Sequence, residues 1–295
     1  MSAANPSTNS TKTLFNKDGI RVLANTLASP TDDEGGIVIT LALNRHHEKN
    51  VINPNMISLL IEALDTIDTH PMLANTNNKA LIITGLSMAE KNEVAAKFFC
   101  NGLDLEWMLR ANNNDDSTGQ PAKEKGNPTS RMIERFTSEV LARILTLPYR
   151  TVAAINGHCI GAGLFIALAC DYRIMRTKKG YVQWPEARLG MRLTKGFAEL
   201  GKAKITDHHV MREGVLTAKK YSPAEALASG IIDGEYPIEE LYGHAFQLAR
   251  EGLPESMKLE YFDPKSYTEI KQELYTDAYR ALKFGKVDDL PHSRI

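Results

Sequence analysis

Short apolar runs alternate with helical periodicity along the first half of the chain. Gly36-Ile37-Val38-Ile39-Thr40-Leu41-Ala42-Leu43 and Ala80-Leu81-Ile82-Ile83-Thr84-Gly85 are rich in β-formers and predict strands. Between them Met56, Leu59, Leu60, Ile61, Ala63, Leu64 and Ile67 recur at helical spacing after Asn53-Pro54. Strand, helix, strand in that order predicts a mostly parallel sheet. Met132, Ile133, Phe136, Val140, Leu141, Ile144 and Leu145 predict a second amphipathic helix, and Thr151–Ile155 a third, buried strand. Asp171–Met175 reads as a further strand. In Ser222-Pro223-Ala224-Glu225 the serine caps, the proline occupies the first turn and the glutamate completes a capping box, with Gly230 ending the helix. Ile238, Leu241, Ala245, Leu248 and Ala249 form one more stripe. The polar stretch from Asn112 to Ser130 is expected to be a mobile surface insertion.

Composition narrows the class. The chain has 295 residues, 43% hydrophobic and 24% charged, which is ordinary globular usage and long enough to bury a core without staples. Lys plus Arg total 35 against 36 Asp plus Glu, a net charge of −1, so no global field favours nucleic acid or an anionic membrane. Cys100, Cys159 and Cys170 cannot build a disulfide framework and fit a reducing compartment. Val152–Cys170 is the most apolar stretch, yet Asn156, His158 and three glycines mark it as buried core rather than a membrane span. Met1–Thr13 carries neither a secretory core nor arginine and is expected to be a flexible tail. At the other end Ser293-Arg294-Ile295 resembles the peroxisomal Ser-Lys-Leu address. A peroxisomal location is therefore expected, or a cytoplasmic one if the signal is not read.

The informative segment is Ala153-Ala154-Ile155-Asn156-Gly157-His158-Cys159-Ile160-Gly161-Ala162-Gly163-Leu164-Phe165, where a strand runs through glycines into an apolar helix. One reading is structural, with glycine allowing close helix–strand packing. Dinucleotide binding through Gly161-Ala162-Gly163 fails, because the third glycine would fall at Ile166 and no acid follows at the right distance. Gly157-His158-Cys159-Ile160-Gly161 matches a nucleophile elbow with cysteine in the serine position. Asp207 with His208, His209 or His244 would supply its partners in chain order. The fourth reading is an oxyanion pocket made from two backbone N–H groups, one at the helix start at Ala162. The other would come from Phe98-Phe99-Cys100-Asn101-Gly102-Leu103-Asp104-Leu105, where Gly102 permits the turn that aims Leu103 N–H inward.

These segments, in order with Gly36–Asn53, Gln183–Gly190 and Ser222–Asp233, resemble the enoyl-CoA hydratase/isomerase (crotonase) family. The resemblance spans about residues 36 to 232. It implies an α/β fold, a spiral of repeated ββα units with a helical C-terminal region. The expected division is a tail over 1–30, a ββα core over 31–205 with the mobile insertion at 112–130, and a helical oligomerisation region over 206–295. The resemblance further implies acyl-CoA thioester substrates and a homotrimer or hexamer. Coenzyme A is then part of the substrate, with no cofactor, metal, nucleic acid or membrane partner.

Carried over by position, Leu103 and Ala162 take the oxyanion places, and Asn101, Gly102, Leu105 and Gly161 lie along the substrate path. Family hydratases place two glutamates over the reacting carbons. Phe165 stands at the first position and cannot move a proton; Glu186 in Gln183-Trp184-Pro185-Glu186 matches the second. One acid suits the isomerase branch, which moves a 3-enoyl double bond to the 2-position in fatty acid β-oxidation. Glu186 is thus the expected acid/base, lined by Trp184, with Phe165 filling the acyl pocket and Glu199 in reserve. Asp104 and Asp171 are expected to be structural, as a helix cap and a strand partner. Lys258 is expected to be an ordinary exposed lysine. Rival readings are a one-glutamate hydratase, a cysteine hydrolase at Cys159, and a non-catalytic acyl-CoA or RNA-binding member. For the last, the run Arg173, Arg176, Lys178, Lys179 is the sole basic feature and reads as a solvated face.

Overall fold

The computed structural model describes residues 8–27, 36–74, 76, 78–85, 97–115, 127–252 and 263–287. Eleven strands among these residues form two sheets. The larger contains β1 (Thr8–Lys17), β2 (Ile20–Leu27), β3 (Ile37–Leu43), β4 (Lys79–Thr84), β6 (Arg150–Ile155), β8 (Tyr172–Arg176) and β11 (Gly234–Tyr236), in the order β1-β2-β3-β4-β6-β8-β11. From β3 onward every pairing is parallel. The smaller sheet has the order β10-β9-β7-β5, from β5 (Phe98–Cys100), β7 (His158–Ile160), β9 (Val182–Gln183) and β10 (Lys220–Tyr221). A strand of the large sheet is followed by one of the small sheet and then by helix: β4, β5, helix Leu105–Asp115; β6, β7, helix Ala162–Ala169; β8, β9, helix Glu186–Leu189. That recurrence is the ββα spiral.

Alternation across the large sheet feeds two cores. Ile37, Ile39, Leu41, Leu81, Ile83, Ala153 and Ile155 join the main core with helix Pro54–Thr69, capped by Asn53 Oδ1 accepting from Met56 N–H at 3.0 Å. Val38, Ala80, Ile82, Val152 and Ala154 pack on the opposite face with Leu241, Ala245, Leu248 and Ala249 of helix Ile238–Glu251. Central strands covered on both faces explain why β3 and β6 are buried at every position.

Three boundaries differ from expectation. The tail expected over 1–30 is, from residue 8, the β1–β2 hairpin, turned by Asp18-Gly19 with both φ values positive (45° and 79°). Asp-Gly at the two central positions is a strong hairpin signal. The region expected to be helical beyond 205 contributes β10 and β11, so the sheet core reaches residue 236 and residue 205 is no boundary. The expected insertion narrows, since Leu105–Asp115 and Pro128–Arg135 are helices, the second capped by Asn127. Lys258 and the Ser293–Ile295 tripeptide lie outside the described residues.

Candidate active site

The three parallel strands of the small sheet end on one side, and each delivers one element of the site. Carboxyl ends of parallel strands are where α/β folds gather their binding groups. β5 runs out through Asn101 and Gly102 to Leu103. Ile52 N–H donates to Gly102 O at 2.8 Å and Asp104 N–H donates to Ile52 O at 2.9 Å. This short parallel bridge occupies the groups on either side of Leu103, so Leu103 N–H points the other way. Gly102 has φ +89°, and a Cβ there would lie 3.1 Å from Ile160 O and 3.8 Å from Ala162 N. The two turns are therefore neighbours.

β7 ends at Ile160 and turns at Gly161, whose φ of 50° and ψ of −119° suit glycine alone. Ala162 opens the next helix, so its N–H is among the donors a helix leaves unused. Gly163 serves a different end: a Cβ on it would fall 2.6 Å from Cys100 Cβ, so here the packing reading holds. β9 ends at Gln183, whose carbonyl accepts from Gly161 N–H at 3.0 Å. Pro185 then starts the single turn that carries Glu186. A Cβ on Gly161 would lie 3.4 Å from Pro185 Cγ and 3.8 Å from Glu186 Oε1. Glu186 is 8% exposed, and its Oε2 is buried without a hydrogen-bond partner among the described residues. Burial pushes its carboxyl up to about 7, opposed only in part by a backbone hydrogen bond.

A buried carboxyl with one unpaired oxygen thus lies beside a helix start and the turn that carries Leu103. The family model for enoyl-CoA hydratase/isomerase matches residues 33–271. The chain belongs to that family, the crotonases. An Arabidopsis thaliana protein named "Enoyl-CoA delta isomerase 2, peroxisomal" is 35% identical over 182 residues, covering 61% of this chain and 70% of its own length. The human "Methylglutaconyl-CoA hydratase, mitochondrial" is 28% identical over 233 residues, covering 76% of this chain and 59% of its own length. The apo enoyl-CoA isomerase of Mycobacterium tuberculosis superposes with a TM-score of 0.66 over 91% of this chain and 96% of that one, at 22% identity, a likeness of fold.

Within this crotonase frame the remaining expected residues separate. Asn101 is half-buried with its N–H on Lys49 O at 3.1 Å, and Leu105 begins its helix 40% exposed. Phe165 is fully buried, its ring stacked on Phe197 with centroids 4.2 Å apart, so that face is filled by protein. Trp184 is also fully buried, its six-membered ring packed on Gly214 and edge-on to Tyr221, which makes it a wedge against helix His208–Thr217. Phe165 was expected to fill the acyl pocket and Trp184 to line Glu186; both rings pack within the core. Glu199 is paired with Lys202 at 2.7 Å.

The elbow arrangement does not form. Cys159 sits in the middle of β7, two residues before the turn into the helix, and burial holds its thiol well above the usual range. Asp207 caps its own helix by accepting from His209 and Val210 N–H, His208 and His209 are exposed, and His244 stacks on Tyr236 at 3.7 Å. The basic run is a solvated face only in part, since Lys178 and Lys179 are exposed and the two arginines are not. Arg173 and Arg176 are buried, and Arg173 donates to Ile231 O at 2.9 Å and pairs with Asp233. Asp104 does cap its helix, with Oδ1 accepting from Trp107 N–H at 2.9 Å. Asp171 accepts from Thr151 N–H at 2.9 Å and from Lys271 Nζ at 2.8 Å.

Two buried asparagines that sequence reading passed over hold β5 in place. Asn50 Nδ2 donates to Phe99 O at 3.0 Å, while Asn156 accepts from Gly85 N–H at 2.9 Å and donates to Phe98 O at 3.2 Å. Asn156, inside an otherwise apolar stretch, carried a signal: a buried amide implies backbone groups waiting for it.

Proposed function

We propose that this crotonase is an isomerase that converts 3-enoyl-CoA to 2-enoyl-CoA in fatty acid β-oxidation. Glu186 carboxylate removes a proton from carbon 2 of the acyl group. The electron pair delocalises over carbon 4 and the thioester oxygen, giving a dienolate. Leu103 N–H and Ala162 N–H hold that oxygen, each donor worth roughly 100–1000-fold in rate. Glu186, now a neutral acid, returns its proton to carbon 4, and the base is regenerated with no water consumed. Coenzyme A enters and leaves as part of the substrate.

The observation that carries this reading is the Glu186 carboxyl, buried with an unpaired oxygen and poised at about 7 against the Gly161–Ala162 turn. A base poised near the working pH is what reversible proton transfer between two carbons requires. Water addition asks for one group to activate water and another to protonate carbon. At the place where family hydratases carry their first glutamate stands Phe165, sealed against Phe197. A merely binding protein would gain nothing from a desolvated carboxyl. The peroxisomal plant isomerase among the relatives supports a peroxisomal setting, and a homotrimer or hexamer belongs to the same family-based reading. Incubation with 3-enoyl-CoA and, separately, with 2-enoyl-CoA in water tests it: the first should yield the 2-enoyl isomer, the second little 3-hydroxyacyl product. Rapid hydration of the second substrate with no isomerisation of the first would overturn the assignment.

A further inference from the structure

At the amino ends of β4 and β6, the opposite ends from those that lead to the small sheet, lies a cleft of about 380 Å3. Its walls include Asp68, Lys79, Arg143, Thr146 and Tyr149. The carboxylate in the lining is already matched, since Arg143 holds Asp68 at 2.7 Å and Asp65 at 2.6 Å. Asp65 is itself 58% exposed, so water screens its charge. Lys79 Nζ donates to Leu73 O at 2.8 Å and forms no salt bridge among the described residues, which leaves it two further N–H donors. It stands 5.4 Å from the centroid of the Tyr149 ring.

Tyr149 is 3% exposed, and its hydroxyl is buried without a hydrogen-bond partner among the described residues. Burial first, and nearby Asp68 second, push its ionisation upward, so the hydroxyl stays a donor. A buried donor left unpaired costs about 1–3 kcal/mol, a cost that an acceptor in the cleft would remove. The wall is also braced. Lys271 Nζ, reaching from helix Pro264–Leu274, donates to Leu147 O at 3.1 Å and to Tyr149 O at 3.0 Å. Donors held in place before a ligand arrives lose little freedom on binding it.

We propose that this cleft binds a small oxyanion, a carboxylate or phosphate group, held between the Lys79 ammonium and the Tyr149 hydroxyl. The site is independent of Glu186 and of the reaction assigned to it. Calorimetric titration of the intact chain with inorganic phosphate and, separately, with succinate tests the proposal, repeated on Tyr149→Phe and Lys79→Gln. At least one anion should bind saturably at one site per chain, and each substitution should weaken it about ten-fold or more. Phosphate alone binding identifies a phosphate site; succinate alone identifies a carboxylate site. Tyr149→Phe loses only the unpaired hydroxyl, so its melting midpoint should equal or exceed that of the unaltered chain, which keeps the comparison one between folded proteins. Saturable binding of neither anion, or binding that both variants retain in full, would overturn the proposal.

Discussion

Replacing Glu186 with glutamine should make the protein more stable and nearly inactive, and the size of the first effect follows from the site. The carboxyl rises from an ordinary 4.5 to about 7 in the folded chain because burial disfavours its charge. Below 4.5 it is neutral in both folded and unfolded states and contributes no pH dependence. As pH rises from there, the unfolded chain ionises first, so stability falls until the folded group ionises near 7 and is level above. At 1.36 kcal/mol per pH unit the full loss is roughly 3 kcal/mol. Somewhat under about 1 kcal/mol of it is already felt at about pH 5, leaving roughly 2 kcal/mol between about pH 5 and about pH 8. Glutamine cannot ionise and escapes this loss. Urea unfolding of both proteins at the two pH values gives the double difference, in which the packing change from acid to amide cancels. The variant should gain roughly 2 kcal/mol on the unaltered protein between the two conditions. Its isomerase rate should fall by roughly 100- to 10,000-fold. If the two stability differences are equal, the carboxyl is not desolvated; if turnover survives, Glu186 is not the base.

Three further outcomes are expected. The profile of kcat/KM for 3-enoyl-CoA should rise with pH and reach half its plateau near 7, because the free enzyme must hold Glu186 as carboxylate; a flat profile across that range would contradict the role. Cys159→Ala should keep isomerase activity, and the native thiol should resist alkylation, since it is buried in β7 with its ionisation pushed far up; rapid inactivation by iodoacetamide traced to Cys159 would argue the reverse. Lys271→Met should destabilise the protein by about 3–5 kcal/mol in urea unfolding, because Asp171 loses a 2.8 Å ion pair in a buried setting and two carbonyls lose their donor. A loss below about 1 kcal/mol would place that pair among weak surface bridges.

What could be read from the chain depended on how many residues carried each signal. The βαβ run from Ile37 to Thr84 was legible because seven strand residues, a sixteen-residue helix and six more strand residues each carry a consistent signal, apolar β-formers in the strands and a 3.6-residue stripe in the helix. So was the Ser222–Glu225 capping box, which forms with Ser222 N–H on Glu225 Oε2 at 2.9 Å. The first hairpin was missed although Asp18-Gly19 announces it, because the Ser-, Thr- and Asn-rich residues before it suggest a tail by composition. β1 is the edge of its sheet, where polar residues are tolerated. β9 and β10 have two residues each, too few for any period. Trp184 and Phe165 illustrate a different limit. That both are large and apolar is visible in sequence, but whether a ring faces a ligand or another helix is decided by Gly214 and Phe197, distant in the chain.

The site itself was legible through its glycines more than through its named donors, and the fold explains why. In the proposed mechanism Leu103 and Ala162 contribute only backbone N–H groups, so their side chains are chemically interchangeable and leave no mark. The constraint falls on the residue before each. Gly102 at φ +89° and Gly161 at φ +50° occupy conformations that side-chain-bearing residues rarely adopt, and these turns set the direction of the next amide. The carboxylate is different, since its chemistry is in the side chain and its poise comes from burial. Three short parallel strands bring these unlike requirements together: β5 and β7 lead into glycine turns that set the next amides, while β9 leads into Trp184-Pro185, which wedges the next residue into the interior. Since Gly161 N–H is tied to Gln183 O, the turn that aims Ala162 and the turn that buries Glu186 are coupled through one hydrogen bond. A change that loosens β9 is therefore expected to disturb the proposed oxyanion amide and the proposed base together.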